Sequence, residues 1–309
     1  MVLKTFTILV LTLSIACHAE SSKRPYKYSE ELVKKAESGD VEAQNDLGVC
    51  YAEGLGINQN YAEAVKWFQK AVDQGSDRGK NNMGTSYRDG AGVEKNKEKA
   101  FELYLEAAKN GYEKAQINVG LCYQNGFGVR QNYSEAFQWF QKAADKNNAW
   151  ALNRIGHLYW EGKGVEKSED KAFEMFLKAA DLGNMYAQNS VGWFYYHGMS
   201  PESEKPSDPR KPSYRKKDFQ KAFEWTLRSA ENGYPDAQYN VAIFYWRGEG
   251  TQVDLEKARF WMTKAADKDV PKAKETLGWI TLGRNVEKIT QNWFSLGEDP
   301  KKESATNPQ

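Results

Sequence analysis

Histidine and cysteine are scarce, with three of each in 309 residues. Metal binding and nucleophilic catalysis lean on these side chains. Past a short leader only His157, His197, Cys50 and Cys122 remain, and no His-Glu-x-x-His or Cys-x-x-Cys spacing joins them. No metal, cofactor or catalytic residue is therefore expected. Net charge is missing too. With Lys4 set aside, 42 basic residues balance 42 acidic ones, leaving no general field for nucleic acid or anionic lipid. The apolar run Phe6 to Ile15 is too short for a membrane span, which needs about 20 residues. Proline is confined: four of nine crowd positions 201 to 212, so most of the chain is open to helix.

What is abundant is repetition. A glycine stands at Gly48, Gly84, Gly120, Gly156 and Gly192, each 36 residues from the last, then Ala242 after 50 and Gly278 after 36. A fixed period of this size is the mark of a solenoid. Ala43, Leu47, Gly48 and Tyr51 share one face at 3.6 residues per turn, as do Ala64, Trp67, Phe68 and Ala71 on a second helix. That alanine returns at Ala100, Ala136, Ala172, Ala222 and Ala258. A glycine inside a helix costs roughly 1 kcal/mol against alanine. Its return predicts a crossing where a side chain does not fit, and Ala242 is the next smallest residue. The fold class is all-α, an α/α solenoid of about seven 36-residue helix-pair repeats starting near 40, 76, 112, 148, 184, 234 and 270.

At Leu47-Gly48-x-x-Tyr51-x-x-Gly54-x-Gly56-Ile57 and Ala64-x-x-Trp67-x-x-x-Ala71 the chain resembles the Sel-1-like repeat family, relatives of the tetratricopeptide repeats. The last copy departs, with Thr281 where Tyr51 stands. The resemblance implies a curved stack of antiparallel helix pairs that serves as a protein-binding scaffold and is seldom an enzyme. Function still rests on the sites.

Residues 1–19 read as a secretory signal peptide, with Lys4, the apolar run and small residues before cleavage after Ala19. The product is expected to be exported, periplasmic or secreted. A rival reading lipidates Cys17, but Ser14 stands where an aliphatic residue is usual. Residues 20–28 form a polar lead, and 29–39 a helix that caps the solenoid, which runs over 29–297. Ile280 to Leu296 can form a last helix, and 298–309 is a charged tail. The Pro-rich insertion, about 199–217, reads either as a docking loop with a basic second half or as a tolerated lengthening.

Cys50 and Cys122 lie two repeats apart at positions filled elsewhere by Leu158, Phe194, Phe244 and Ile280, so two buried free thiols are expected. The Gly-x-Gly turns lack the strand and third glycine of a dinucleotide site. Ser168-x-x-Lys171 and Ser213-x-x-Lys216 match a penicillin-recognising motif in form, without Ser-Asp-Asn or Lys-Thr-Gly.

One face of the first helices stands out. It carries Glu42, Asn45, Val49 and Ala52 in the first copy, and Arg78, Asn81, Thr85 and Arg88 in the second. The fourth has Trp150, Asn153, His157 and Trp160; the fifth Tyr186, Asn189, Trp193 and Tyr196; the sixth Asp236, Tyr239, Ile243 and Trp246; the seventh Trp279. Aromatics on a surface that packing does not require mark recognition. The competing reading packs these rings on one another. Recurring asparagines suit the main chain of an extended ligand. The expected function is a non-enzymatic scaffold that binds an extended peptide or tail of a protein partner in a concave aromatic groove. A glycan fits the same chemistry, and the alternative is a cell-envelope hydrolase acting on peptidoglycan or beta-lactams.

Overall fold

The computed structural model describes residues 27–201 and 217–282. The leader, the body of the Pro-rich insertion with Ser213 and Lys216, and everything after Leu282 lie outside them. The described residues form fourteen helices and no strands. In order they are α1 (Glu30–Glu37), α2 (Val41–Glu53), α3 (Tyr61–Asp73), α4 (Asp77–Asp89), α5 (Lys97–Lys109), α6 (Glu113–Asn125), α7 (Tyr133–Ala144), α8 (Ala149–Glu161), α9 (Glu169–Asp181), α10 (Met185–His197), α11 (Phe219–Glu231), α12 (Pro235–Arg247), α13 (Leu255–Asp267) and α14 (Ala273–Thr281). They fall into two compact units that divide after Asn132. In the first, α1 to α6 each pack on their chain neighbours; in the second, α7 to α14 do the same. The fold is an all-α solenoid of about seven repeats.

Local chemistry sets the helix ends. Asp40, Ser76, Asn148 and Asn184 accept a backbone N–H three residues on and start first helices; Asn60, Asn96, Ser168, Asp218 and Asp254 do so for second helices. Each first helix from α2 to α12 stops at a left-handed glycine with φ between 68° and 71° (Gly54, Gly90, Gly126, Gly162, Gly198, Gly248). Two residues on, Gly92 and Gly164 lie against the backbone of Tyr61 and Tyr133, where a Cβ would collide. The Gly-x-Gly turn is thus a structural joint.

Within a pair, the helix crossing is built on the repeat glycine. A Cβ on Gly84 would lie 2.8 Å from the Tyr104 ring, and one on Gly156 2.7 Å from the Phe176 ring. Phe68 covers Gly48 in the same way, and Thr226 takes the ring's place over Gly192. Between pairs, rings from a second helix meet the tyrosine of the next first helix edge-on: Phe101 with Tyr123 at 5.4 Å, Phe173 with Tyr195 at 5.5 Å, Phe223 with Tyr245 at 5.1 Å. The first-helix glutamines complete the joint. Gln188 Nε2 donates to the Ala180 carbonyl at 3.2 Å, and Gln44 Nε2 donates to Ala36 on α1, so α1 occupies the place of a second helix.

Cys50 and Cys122 are buried free thiols. Burial pushes the Cys50 thiol up to about 11 and that of Cys122 to about 12. Near pH 8 the thiolate fraction is roughly a thousandth or less. Both should stay unlabelled by a thiol reagent until denaturant is added; mass spectrometry showing rapid labelling of native protein would contradict their burial. A second expectation concerns the crossing. Gly156→Ala raises helix propensity by about 1 kcal/mol, yet its methyl meets a fully buried ring, so net destabilisation of about 1 to 3 kcal/mol is expected in urea unfolding. Equal or greater stability would show that the ring is not fixed there.

Candidate functional site

The first helices carry different chemistry in the two units. In the first unit the face is laced with charge. Arg78 pairs with Glu42 at 2.8 Å and with Asp46 at 2.5 Å, and Arg88 holds Asp89 through Nε and Nη2 at 2.7 and 2.8 Å. Thr85 Oγ1 hydrogen-bonds Tyr104 Oη at 3.1 Å. In the second unit α10 has no acidic residue, and its only ionisable group of near-neutral pKa is His197.

Aromatic rings converge there. Trp160 at the end of α8 meets Trp193 of α10 edge-on at 5.2 Å, and both pack on the buried Phe194, at 5.3 and 5.5 Å. One turn beyond Trp193, the His197 ring lies 4.2 Å from it at an interplanar angle of 31°. His197 Nδ1 is 2.9 Å from the Trp193 carbonyl; a carbonyl only accepts, so Nδ1 carries the proton. Burial lowers the His197 pKa and nearby Lys217 adds to that, while the hydrogen bond opposes it. Lys167 Nζ stands 5.3 Å from the Trp160 ring and Lys217 Nζ 5.2 Å from the Tyr196 ring. Trp160, Trp193 and His197 are half-buried, a wall of rings partly open to water.

The structure divides the residues expected to line the groove. Trp150, His157, Trp160, Trp193 and Trp279 are half-buried. Tyr186, Tyr196, Tyr239 and Trp246 are buried and pack on protein, Tyr186 against Tyr234 at 5.0 Å and Tyr196 against Phe244 at 5.9 Å. Asn153 and Asn189 are fully buried. Open and closed positions alternate along the expected face itself: Trp193 is half-buried while Asn189 and Tyr196 on either side of it are buried, and His157 and Trp160 are half-buried beyond the buried Asn153. The asparagines form the seam between first helices: Asn81 Oδ1 accepts from Asn118 at 2.8 Å and Asn189 Oδ1 from Asn240 at 3.0 Å. At Asn153 this ladder breaks. Ser190 holds the position of Asn118 and Asn240 but turns its hydroxyl back to the Tyr186 carbonyl, and both amide atoms of Asn153 are buried without a hydrogen-bond partner among the described residues.

His197 and the underlying Phe194 were missed as parts of this cluster. Their signal was spacing: His197 follows Trp193 by four residues, one turn on the same face. Elsewhere, a cleft of about 590 Å³ lies between α7 and α9 over Leu152 and Tyr159 of α8. Its polar walls pair with themselves, Gln141 with Asp145 and Lys178 with Glu174, each at 2.8 Å. Ser168, from the penicillin-like motif, caps α9 by accepting the Lys171 N–H at 3.3 Å. Among the described residues no three His, Cys, Asp or Glu side chains are grouped to hold a metal, and no helix is long and apolar enough to cross a membrane.

Consecutive helix pairs with a ring-roofed glycine and a Gly-x-Gly joint define an α/α repeat protein. The Sel1 repeat model matches residues 41–76, 78–112, 113–148, 151–184, 186–211, 213–234 and 235–270, and the chain belongs to the Sel1 repeat family. Sel1 repeat proteins generally mediate protein–protein interaction, and the scaffold is generally non-enzymatic. Among solved structures, the chain is similar to a Sel1 repeat protein from Oxalobacter formigenes (TM-score 0.63, 28% identity, 84% of this chain and 95% of that one). It is also similar to c5321, described as a protective antigen of uropathogenic Escherichia coli with an SLR fold (TM-score 0.61, 31% identity). That match covers 87% of this chain and 56% of c5321. A short stretch of 54 residues is 39% identical to rat DAP3-binding cell death enhancer 1, covering 16% of this chain and 11% of that protein.

The lowered His197 pKa gives a pH dependence. The unfolded state binds the proton more readily than the native one, so stability is full above the ordinary value of 6.5 and falls as pH drops below it, until the native pKa is passed. Denaturant unfolding at about pH 7.5 and about pH 5.5 should show that loss, and His197→Asn should reduce it. An identical pH slope in the variant would remove His197 as its source.

Proposed function

We propose that this chain is a non-catalytic scaffold whose Trp160–Trp193–His197 cluster holds an extended segment of a partner protein. The observation that supports this most is the cluster itself, in which two tryptophans and an imidazole remain half-buried side by side over the buried Phe194. Rigid, partly desolvated aromatic anchors on a fixed backbone are the usual hot spots of protein recognition. The family's general role in protein–protein interaction supports the same class of partner. The ladder asparagines are spent on the fold, so the site offers apolar faces, the His197 ring and the Lys167 and Lys217 amines rather than a row of amides.

A displayed random-peptide library panned against the chain tests this, with selected peptides titrated calorimetrically. Trp193→Ala should weaken them by about 2 kcal/mol, roughly thirtyfold, with the melting temperature lowered by only a few degrees because the ring is half-buried. Lys114→Ala, an exposed site on α6, should leave binding unchanged. Peptides that bind wild type and Trp193→Ala equally, or a site that takes glycans and no peptide, would overturn the reading.

A further inference from the structure

At most joints between repeats a polar side chain closes the space between two successive second helices. Gln44, Gln116, Gln188 and Gln238 each donate Nε2 to the carbonyl of an alanine at the end of the preceding helix, at 3.2 to 3.4 Å. At two joints the following second helix completes a clamp, with Gln74 donating to Gln44 Oε1 at 2.8 Å and Asn232 to Gln188 Oε1 at 2.9 Å. The first row reads Gln44, Lys80, Gln116, Leu152, Gln188, Gln238 and Lys274, and the second Gln74, Asn110, Lys146, Leu182, Asn232 and Lys268. Leucine enters each row once, and both leucines fall in the same joint.

That joint is the cleft of about 590 Å³ between α7 and α9. Leu152 and Leu182 both line it, beside the half-buried Met175. Two leucines that replaced the clamp only for the fold would close the joint, and instead a cleft stands there with Leu182 47% exposed. The Ala144 carbonyl, which a glutamine reaches at the sibling joints, accepts only the Asn147 N–H, at 2.8 Å, among the described residues. The charges at this end of the cleft are negative. α7 and α9 both finish here, and helix C-termini favour a cation. Asp145 takes an amide N–H from Gln141, and the Asp181 carboxylate has no hydrogen bond or ion pair among the described residues. Glu174 and Lys178 neutralise each other, while Lys171 stands at the far end beside Tyr159.

We infer that this cleft holds a segment of a partner protein in which an arginine is flanked by apolar residues. The guanidinium donates to the Ala144 carbonyl in place of the missing glutamine and meets the carboxylates of Asp145 and Asp181. Its apolar neighbours cover Leu152, Met175 and Leu182. Arginine suits this place better than lysine, because its planar fork of donors serves a carbonyl and a carboxylate together and is more weakly hydrated. The floor from Leu152 to Tyr159 spans about 10 Å at 1.5 Å per residue, room for about three extended residues at roughly 3.3 Å each. The site is separate from the Trp160–Trp193–His197 cluster, none of whose residues line it.

A library of acetylated hexapeptide amides with arginine fixed at the third place and the other five varied tests this on the full-length chain, with retained peptides titrated calorimetrically. Retained peptides should carry apolar residues next to the arginine, and citrulline in its place should weaken them about fivefold by removing the charge. Leu152→Gln combined with Leu182→Asn rebuilds the clamp of the sibling joints and should weaken binding at least about tenfold. Asp181→Asn alters an exposed, unpaired carboxylate and leaves the fold intact, which keeps the test open if the double variant folds poorly. It should weaken binding about threefold. Citrulline peptides that bind as well as arginine ones, or unchanged affinity in a folded double variant or in Asp181→Asn, would overturn the inference. So would a library from which nothing is retained.

Discussion

Everything in the repeat follows from the approach of two helices at a residue with no side chain. Phe68 on Gly48, Tyr104 on Gly84 and Phe176 on Gly156 bring each pair so close that the crossing ring sits where a Cβ would be. A ring in that place is itself fully or almost fully buried. Its spacing from the glycine then fixes the turn between helices, because Gly54 and its equivalents must reverse the chain in six residues to deliver the ring to its seat. The 36-residue period is the length of chain that this contact and the next one require.

The repeat was legible for that reason. Period, glycine, alanine row and turn chemistry are local or strictly recurrent, and the helices stand where the apolar spacing puts them. Which side of a first helix faces water was less legible. Asn189 is closed while Trp193, one turn on along the same face, is partly open. Nothing within one repeat decides which of them meets the next repeat. Recurrence of asparagine was itself the clue, since a residue that returns in repeat after repeat more often serves the repeat than a ligand. Its amides join Asn81 to Asn118 and Asn189 to Asn240 in a low-dielectric seam where a hydrogen bond is strong and an unpaired group costly. Trp160, Trp193 and His197 lie outside that amide ladder and stay half-buried.

The cations fall into two recurrent sets. Lys171 over Tyr159, Lys221 over Tyr195 and Lys257 over Tyr245 recur at one place in the repeat, each amine 5.1 to 5.4 Å from its ring, and are part of the joint between helices. Lys217 over Tyr196 sits outside that series, at the end of α10 where the insertion returns. Lys167, before the cap of α9, reaches Trp160. Exposed amines beside rings contribute about 0.5 to 1 kcal/mol each to the fold, in either set.

Under the proposed reading, that combination constrains the partner segment. A ligand of high charge gains little from Trp160, Trp193 and Phe194, because its ions must be desolvated against rings that return only dispersion and quadrupole energy. A wholly apolar ligand gains nothing from Lys167 and Lys217. A segment with an apolar anchor over the two tryptophans and an anionic group within reach of either amine uses both, and it also stabilises the charged form of His197, which burial and Lys217 now disfavour. Under the proposed reading, binding of such a segment raises the proton affinity of the imidazole, so affinity rises on acidification, in the direction opposite to the stability of the free protein.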